Sequence, residues 1–296
     1  MQTLRHNPVL GLVLVAALIF NGSGSLAQTP STNSPWLRIV MIGASASAGF
    51  VLSEPFGGTN TAKCRLNYYL DAALKVPHEP VKNLASALSF LMPESAGRMQ
   101  VEQAIQARPT LVVGVDFLFW FCYGQGTNDA ERLQRFDAGL KLLEAIKGPL
   151  VLGTIPDASF ATNSGIISPA QVPSTAALAA ANVRLKTWAA ARSQVVLVPL
   201  SEFMSAAMAN RPLSVHGQTL PAGKTRAILQ NDLLHPAPRG AAWLALGILD
   251  AAVKRPGFSP ADVRWNAEEV FQLGSQSALG KPKPVATLPS TAPTAK

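Results

Sequence analysis

Three residues of this sequence could together carry out an acyl transfer: Ser45, Asp232 and His235. Ser45 follows a short apolar run closed by Gly43, and Asp232 precedes His235 by three residues. A histidine accepts the proton of a serine hydroxyl, and an acceptor on its second ring nitrogen fixes the tautomer. An aspartate three residues earlier reaches that ring where the segment makes a tight turn. The alternative is a surface aspartate beside an unrelated loop histidine.

The apolar run before Ser45 indicates the element that positions this serine. Residues 39–42 are apolar and rich in β-branched side chains, and small residues follow from Gly43 to Gly49. Such a run predicts a strand buried on both faces, as in a parallel sheet. Ligands of open α/β sheets bind beyond the carboxyl ends of the strands, where backbone N–H groups can also receive an oxyanion. Further strands are predicted at residues 81–85, 110–116, 149–155 and 195–200.

Helical spacing of apolar residues separates these predicted strands. It indicates helices over residues 62–75, 97–107, 130–146, 174–192 and 241–253, with Asp129 as the N-cap of the third. Residues 211–231 contain prolines and glycines and are predicted to be irregular. A strand–helix pattern repeated about five times predicts a parallel sheet covered by helices on both faces. We therefore expect one catalytic-size α/β domain.

The two ends of the chain differ in composition from the middle. Residues 1–27 carry Arg5, an apolar stretch and small residues before position 28, which is the pattern of a signal peptide. We expect cleavage and export to the periplasm or medium, with no membrane span afterwards; an uncleaved anchor is the alternative. Residues 28–36 form a leader, residues 37–279 the domain, and residues 280–296 a Pro/Ala/Thr-rich tail expected to be disordered.

Composition limits the classes of partner and cofactor. The formal net charge is +8, but no Lys/Arg-rich run or aromatic-interleaved basic stripe is present, so nucleic-acid binding is not expected. No residue spacing suggests metal ligands, and no cofactor is expected. The two cysteines, Cys64 and Cys122, either form a disulfide in an oxidising compartment or are two separately buried thiols. The sequence does not indicate an oligomeric state.

A strand ending in Gly-x-Ser near the start of the domain, with Asp-x-x-His-Pro before the last helix, resembles the SGNH (GDSL-type) hydrolase superfamily. The segment Asp232-Leu-Leu-His-Pro-Ala-Pro-Arg-Gly240 is similar to the last block of that family. The resemblance covers about residues 37–255 and implies a flavodoxin-like three-layer α/β/α sandwich with a five-stranded parallel sheet. It also implies Ser45 as nucleophile, His235 as base and Asp232 as orienting acid.

Two blocks depart from the family pattern at the positions that bind the oxyanion. Residues 83–89 lack the glycine of the second block, and Asp116 stands where the third block has an asparagine donor. Losing one oxyanion donor costs about 3–4 kcal/mol. The candidate donors are Ser45, Ser86 and a protonated Asp116, with Ser47 or Asn83 as substitutes. Alternatively, Asp116 has a structural role and caps the loop.

The segment after Asp116 is unusually aromatic. Phe117, Phe119 and Trp120 are candidates for the wall of a pocket for an acyl group or a hydrophobic alcohol; the alternative is core packing under a loop. In the strand order 2-1-3-4-5, a bridge between Cys64 and Cys122 would hold this segment beside Ser45.

The residues together predict a serine hydrolase that cleaves a carboxylic ester or O-acetyl group of a small molecule or polysaccharide. The alternatives are a catalytically impaired module that binds an envelope glycan or lipid, and a membrane-peripheral protein with an incidental cleft.

Overall fold

A five-stranded parallel sheet forms the centre of the computed structural model, which describes residues 34–124, 126 and 128–280. Its strands are β1 (Ile39–Met41), β2 (Lys82–Asn83), β3 (Leu111–Gly114), β4 (Leu150–Gly153) and β5 (Val195–Val198). The strand order is β2-β1-β3-β4-β5, and Val40 pairs with both Lys82 and Val112. The predicted flavodoxin-like sheet is confirmed.

Helices cover both faces of the sheet. They are α1 (Ser45–Ala48), α2 (Thr59–Lys63), α3 (Leu66–Ala73), α4 (Pro93–Gln106), α5 (Phe119–Tyr123), α6 (Asp129–Leu143), α7 (Thr175–Ala190), α8 (Leu200–Met208), α9 (Pro238–Ala252) and α10 (Ala267–Ala278). A small antiparallel hairpin, β6 (Leu213–Val215) and β7 (Gln218–Leu220), follows α8. The described residues thus form the three-layer α/β/α sandwich that the family resemblance implies.

The alternation of side chains along each strand divides the core into two layers. Ile39 and Met41 pack with residues of α3, α8, α9 and α10 on one face. Val40 and Ile42 point the other way and pack with residues of α4, α5, α6 and α7. Because both faces are covered, every residue of β1, β3 and β4 is buried, which explains their unbroken apolar sequences.

Several predicted boundaries differ from the structure. The helix predicted over residues 62–75 is two helices, since the chain turns between Lys63 and Leu66. Asn128, not Asp129, is the N-cap of α6, and its side chain accepts a hydrogen bond from Glu131 N at 3.0 Å. Residues 211–231, predicted to be irregular, contain the β6–β7 hairpin. Its two turn residues, His216 and Gly217, both have positive φ, as a two-residue hairpin turn of this kind requires.

Cys64 and Cys122 are both free, buried thiols, which is the second of the two predicted alternatives. Cys122 lies in α5 and packs in the layer beneath α6 and α7. Cys64 ends α2, where its sulfur accepts a long hydrogen bond of 3.7 Å from Gln230. Adjacent loops therefore do not place these two side chains together, because each is turned into its own packing environment.

The predicted signal peptide and most of the predicted tail lie outside the described residues, as does the first part of the leader. Within residues 34–124, 126 and 128–280, no helix has the length and apolar character needed to cross a membrane.

Candidate active site

The turn after β1 holds Ser45 in a fixed place at the carboxyl edge of the sheet. Gly43 has a φ of +148°, which favours glycine, and it is clamped by the buried side chain of Gln100. Gly43 N donates to Gln100 Oε1 at 2.7 Å, while Gln100 Nε2 donates to Gly43 O at 3.0 Å. Ser45 is the first residue of the one-turn helix α1. The nucleophile candidate is thus anchored through its backbone.

A tight loop brings Asp232 beneath the ring of His235. Leu233 takes a left-handed conformation, with φ of +64°, and Asp232 Oδ1 accepts the backbone N–H groups of Leu234 and His235 at 3.0 and 2.9 Å. The loop closes where Gln230 N donates to His235 O at 2.8 Å. This is the tight turn that the three-residue spacing requires.

Ser45, His235 and Asp232 come together in one chain of hydrogen bonds. His235 Nε2 lies 2.8 Å from Ser45 Oγ, and His235 Nδ1 lies 2.7 Å from Asp232 Oδ2. Asp232 can only accept while ionised, so the tautomer that satisfies both contacts carries its proton on Nδ1. Nε2 is then free to accept the Ser45 hydroxyl hydrogen, which is the arrangement of a nucleophile and its general base.

The Asp232 carboxylate is stabilised in its charged form. Burial acts to raise the pKa of Asp232, but the hydrogen bond from His235, its positive charge when protonated, and the two backbone N–H donors outweigh burial. The pKa of Asp232 is therefore below its ordinary value. An ionised carboxylate at this position orients the imidazole and stabilises the imidazolium that forms when the serine proton is taken up.

Two further residues hold the histidine in place. The ring of Phe50 lies against that of His235, with a centroid distance of 4.5 Å. Gln230 Nε2 donates to Phe50 O at 2.7 Å and to Pro236 O at 3.0 Å. Gln230 thus ties the loop after α1 to the loop that carries His235, across 180 residues of sequence.

Asp116 does not contribute an oxyanion donor in this arrangement. Its Oδ2 accepts the backbone N–H of Ser47 at 3.0 Å, and its Oδ1 lies 2.6 Å from the Ser47 hydroxyl. Both oxygens therefore serve the first turn of α1, and the structure agrees with the capping role rather than with a donating carboxyl. Ser47, fully buried and committed to Asp116, is not available either.

The Asn83 amide is also engaged elsewhere, and Ser86 lines a cleft whose wall does not include Ser45 or His235. Ser86 N donates to Gly43 O at 3.1 Å, and its hydroxyl accepts the N–H of Leu88 at 3.2 Å. The Asn83 amide donates to Ser47 O at 3.0 Å and to Asn67 Oδ1 at 3.2 Å. The Ser86 backbone and the Asn83 side chain therefore support the turn that carries Ser45.

Two backbone N–H groups are candidates for binding the oxyanion. The first is that of Ser45 itself, which has no acceptor within α1 because it begins the helix. The second is that of Ala87, which starts the 3₁₀ turn at Ala87–Phe90 and lines a cleft together with Ser45. Among the described residues, no acceptor is found for the Ala87 N–H.

The three aromatic candidates separate into different roles. Phe119 lines a cavity that also contains Ser45 and His235 in its wall, and Trp120 lines a second cleft with the same two residues. Phe117 lines neither space; it stacks on Phe121 with a centroid distance of 5.6 Å in the core. The expectation for Phe117 is corrected, because the α5 segment turns this ring toward α4. No group of potential metal ligands occurs among the described residues.

Comparison with solved structures identifies the fold. A lipase/acylhydrolase from Enterococcus faecalis superposes with a TM-score of 0.50 and 15% sequence identity, covering 78% of this chain and 98% of that protein. The chain has the SGNH hydrolase fold. A putative acylhydrolase from Bacteroides fragilis also matches, with a TM-score of 0.42 and 17% identity, covering 77% of this chain and 91% of that one. TesA matches with a TM-score of 0.37 and 19% identity, covering 73% of this chain and 98% of that one. No protein-family model and no curated protein matches the sequence.

The SGNH fold explains where the three candidate residues meet, but sequence reasoning missed the residues that brace them. Gln100 is a buried polar residue on the same face of α4 as Gly97, Val101 and Ala104. A glutamine in an apolar helical position is the signal that could have found it. Gln230 and Phe50 carry no such pattern, because they lie in loops whose paths depend on the whole fold.

Proposed function

We propose that this protein is an exported serine hydrolase that cleaves a carboxylic ester or O-acetyl group of a small molecule or polysaccharide. The observation that carries the proposal is the hydrogen-bond chain from Ser45 through His235 to Asp232, with distances of 2.8 and 2.7 Å. The fold shared with a lipase/acylhydrolase supports the same reaction class. Export rests on the sequence of residues 1–27, and a mature protein that begins at Gln28 would support it.

In the first half of the reaction, Ser45 Oγ attacks the carbonyl carbon while its proton passes to His235 Nε2. The carbonyl oxygen becomes an oxyanion, for which the backbone N–H groups of Ser45 and Ala87 are the proposed donors. The intermediate collapses when the bond to the leaving oxygen breaks and His235 gives its proton to that oxygen. The alcohol departs, and the acyl group stays on Ser45 as an ester.

In the second half, water replaces the alcohol beside His235. His235 Nε2 accepts a proton from the water as its oxygen attacks the acyl carbon, and the second oxyanion is bound by the same donors. Collapse breaks the bond to Ser45 Oγ, which takes the proton back from His235. Asp232 remains ionised throughout and stabilises the imidazolium in both halves.

Turnover of p-nitrophenyl acetate and butyrate tests this proposal. Ser45→Ala should reduce kcat/KM by three orders of magnitude or more, on the order of what removing a catalytic serine costs in known triads. Ser53→Ala is the matched control, because Ser53 is an exposed serine of the following loop, and it should retain wild-type turnover. Wild-type turnover in Ser45→Ala would refute the assignment of the nucleophile.

The second candidate function is a binding module on a hydrolase scaffold. It is favoured by one observation: Asp116, Ser47 and Asn83 are all hydrogen-bonded within the protein, so none of these three side chains is available to donate to an oxyanion. This candidate predicts no turnover of either p-nitrophenyl ester, and binding of an envelope glycan or lipid that is the same in the wild type and in Ser45→Ala.

A further inference from the structure

Two separate spaces open on the Ser45–His235 pair, and both residues line each of them. The inner cavity, of about 70 Å³, lies between the carboxyl edge of the sheet and helices α8 and α9. The outer cleft, of about 330 Å³, lies under the loops after α1 and β2. An ester substrate has an acyl group and an alcohol group, one on each side of the carbon that Ser45 attacks. The two spaces offer different environments for these two groups.

The inner cavity is apolar and is walled mainly by buried side chains. Its wall includes Val115, Phe119, Phe203, Met204, Ile228 and Leu244, each less than one-tenth exposed. The one charged residue in the wall, apart from the reactive pair, is Asp116, whose oxygens are occupied by Ser47. A polar or charged group would lose its hydration there without gaining a partner, so the cavity accepts hydrocarbon.

The outer cleft is wider and faces solvent. Phe56 is 92% exposed, Leu88 50% and Phe90 41%, and the buried ring of Trp120 forms the cleft floor beside them. Apolar and aromatic surfaces therefore continue from Ser45 to the outside of the molecule. A bulky group can enter and leave by this route without any rearrangement of the core.

We infer that the inner cavity holds the acyl group and the outer cleft holds the alcohol, so that the substrates are short-chain acyl esters of larger apolar or aromatic alcohols. This inference rests on the proposed function. During the reaction the acyl group stays bonded to Ser45, and a cavity with buried walls does not hinder it. The alcohol must leave and water must replace it, which the exposed walls of the outer cleft allow.

The size of the inner cavity limits the acyl chain. Its 70 Å³ is roughly half of the ~150 Å³ apolar cavity that admits benzene in a protein core. An acetyl to butyryl group fits such a space, and an octanoyl group does not. Met204, which lines the wall from α8, is an unbranched side chain whose shortening extends the cavity without changing the sheet.

The test compares kcat/KM for p-nitrophenyl acetate, butyrate and octanoate in three proteins. The wild type should prefer acetate or butyrate over octanoate by tenfold or more. Met204→Ala should raise the octanoate-to-butyrate ratio at least tenfold. Met208→Ala is the matched control, one turn further along α8 and outside the cavity wall, and it should leave that ratio at the wild-type value. Each ratio is internal to one protein, so a change in stability or folded fraction does not affect it.

The outer cleft is tested with Leu88→Ala. This variant should lower the rate with p-nitrophenyl butyrate relative to methyl butyrate and leave the octanoate-to-butyrate ratio unchanged. The inference is overturned if Met204→Ala leaves the acyl-chain profile unchanged or if Leu88→Ala shifts it. Failure of the proposed function gives a different result: the wild type shows no turnover, or turnover does not depend on Ser45.

Discussion

Asp116 clamps Ser47 through two hydrogen bonds, from the backbone N–H at 3.0 Å and with the hydroxyl at 2.6 Å. Asp116 follows β3 and Ser47 lies two residues after Ser45, so the clamp joins two neighbouring strands at the edge where the reactive pair stands. A carboxylate at the third-block position is therefore a support for α1. This accounts for a charged residue at the position where the family that the sequence resembles has an asparagine.

Removing either partner of this clamp should destabilise the protein, and the two effects should couple. Asp116→Ala leaves two buried donors of Ser47 without an acceptor, which costs about 1–3 kcal/mol. Ser47→Ala should cost less, because its N–H still reaches Asp116. The double variant should be more stable than the sum of the single effects predicts, by about 1 kcal/mol. Urea unfolding measures this cycle, and strict additivity would contradict the clamp.

The Asp116→Asn variant distinguishes a carboxylate that supports α1 from one that repels the oxyanion. If Asp116 supports α1, the amide variant retains one acceptor oxygen and kcat/KM stays at or below the wild-type value with p-nitrophenyl butyrate. If instead the carboxylate repels the oxyanion, the variant should be faster by about two orders of magnitude, the gain expected from one new donor. A faster Asp116→Asn enzyme would therefore contradict our assignment of Asp116.

Gly43→Ala should be strongly destabilising. An added Cβ would lie 2.1 Å from Asp116 Oδ1, at a φ of +148°. Gly223→Ala is the control, since Gly223 also has positive φ (+83°) but its Cβ would meet no atom within 4 Å. Backbone strain alone costs about 1–2 kcal/mol, so Gly43→Ala should exceed Gly223→Ala by a clear margin in urea unfolding. Equal losses would show that the contact with Asp116 is not close.

The lowered pKa of Asp232 predicts how its contribution to stability depends on pH. A carboxyl whose folded-state pKa lies below the ordinary 3.8 stabilises the fold above that value and loses this contribution as pH falls through the folded-state pKa. The difference in unfolding free energy between wild type and Asp232→Asn should therefore grow as pH rises from the folded-state pKa through 3.8, and level off near pH 5. A difference that shrinks as pH rises above 3.8 would indicate a raised pKa instead.

The two thiols should be present but unreactive in the native protein. Burial raises the pKa of Cys64 to about 11 and that of Cys122 to about 12, so at pH 8 the thiolate fraction of each is on the order of 0.1% or less. A thiol reagent such as DTNB should react with neither cysteine in the native protein. After unfolding without any added reductant, it should react with both. Thiols that react only after reduction would indicate a disulfide.

The sheet and the meeting of Ser45 with His235 were predictable because they depend on patterns that the chain repeats. Unbroken apolar runs such as Leu150–Gly153 are required wherever a strand is covered on both sides, and the carboxyl ends of parallel strands share one edge. Asp232 could be assigned because a three-residue spacing reaches a histidine ring through one tight turn. These are local or periodic constraints.

What could not be predicted depends on contacts between distant segments. Phe117 and Phe119 are two residues apart and equally apolar, yet one packs under α4 and the other faces the inner cavity. Their directions are set by how α5 lies on the sheet. The same holds for the two cysteines: Cys122 packs in the layer with α6 and α7, while Cys64 at the end of α2 contacts Gln230. α8 was missed because it follows β5 after a single proline, and it supplies Met204 to the cavity.

Labelling with a fluorophosphonate reports directly on the activation of Ser45, since this reagent reacts with a serine whose hydroxyl is activated by a neighbouring base. We predict one label per native chain, mapped to Ser45 by peptide mass spectrometry. The label should be absent in Ser45→Ala, strongly slowed in His235→Asn, and retained in Ser53→Ala. A native protein that takes up no label, or takes it up at the same rate without His235, would contradict the account.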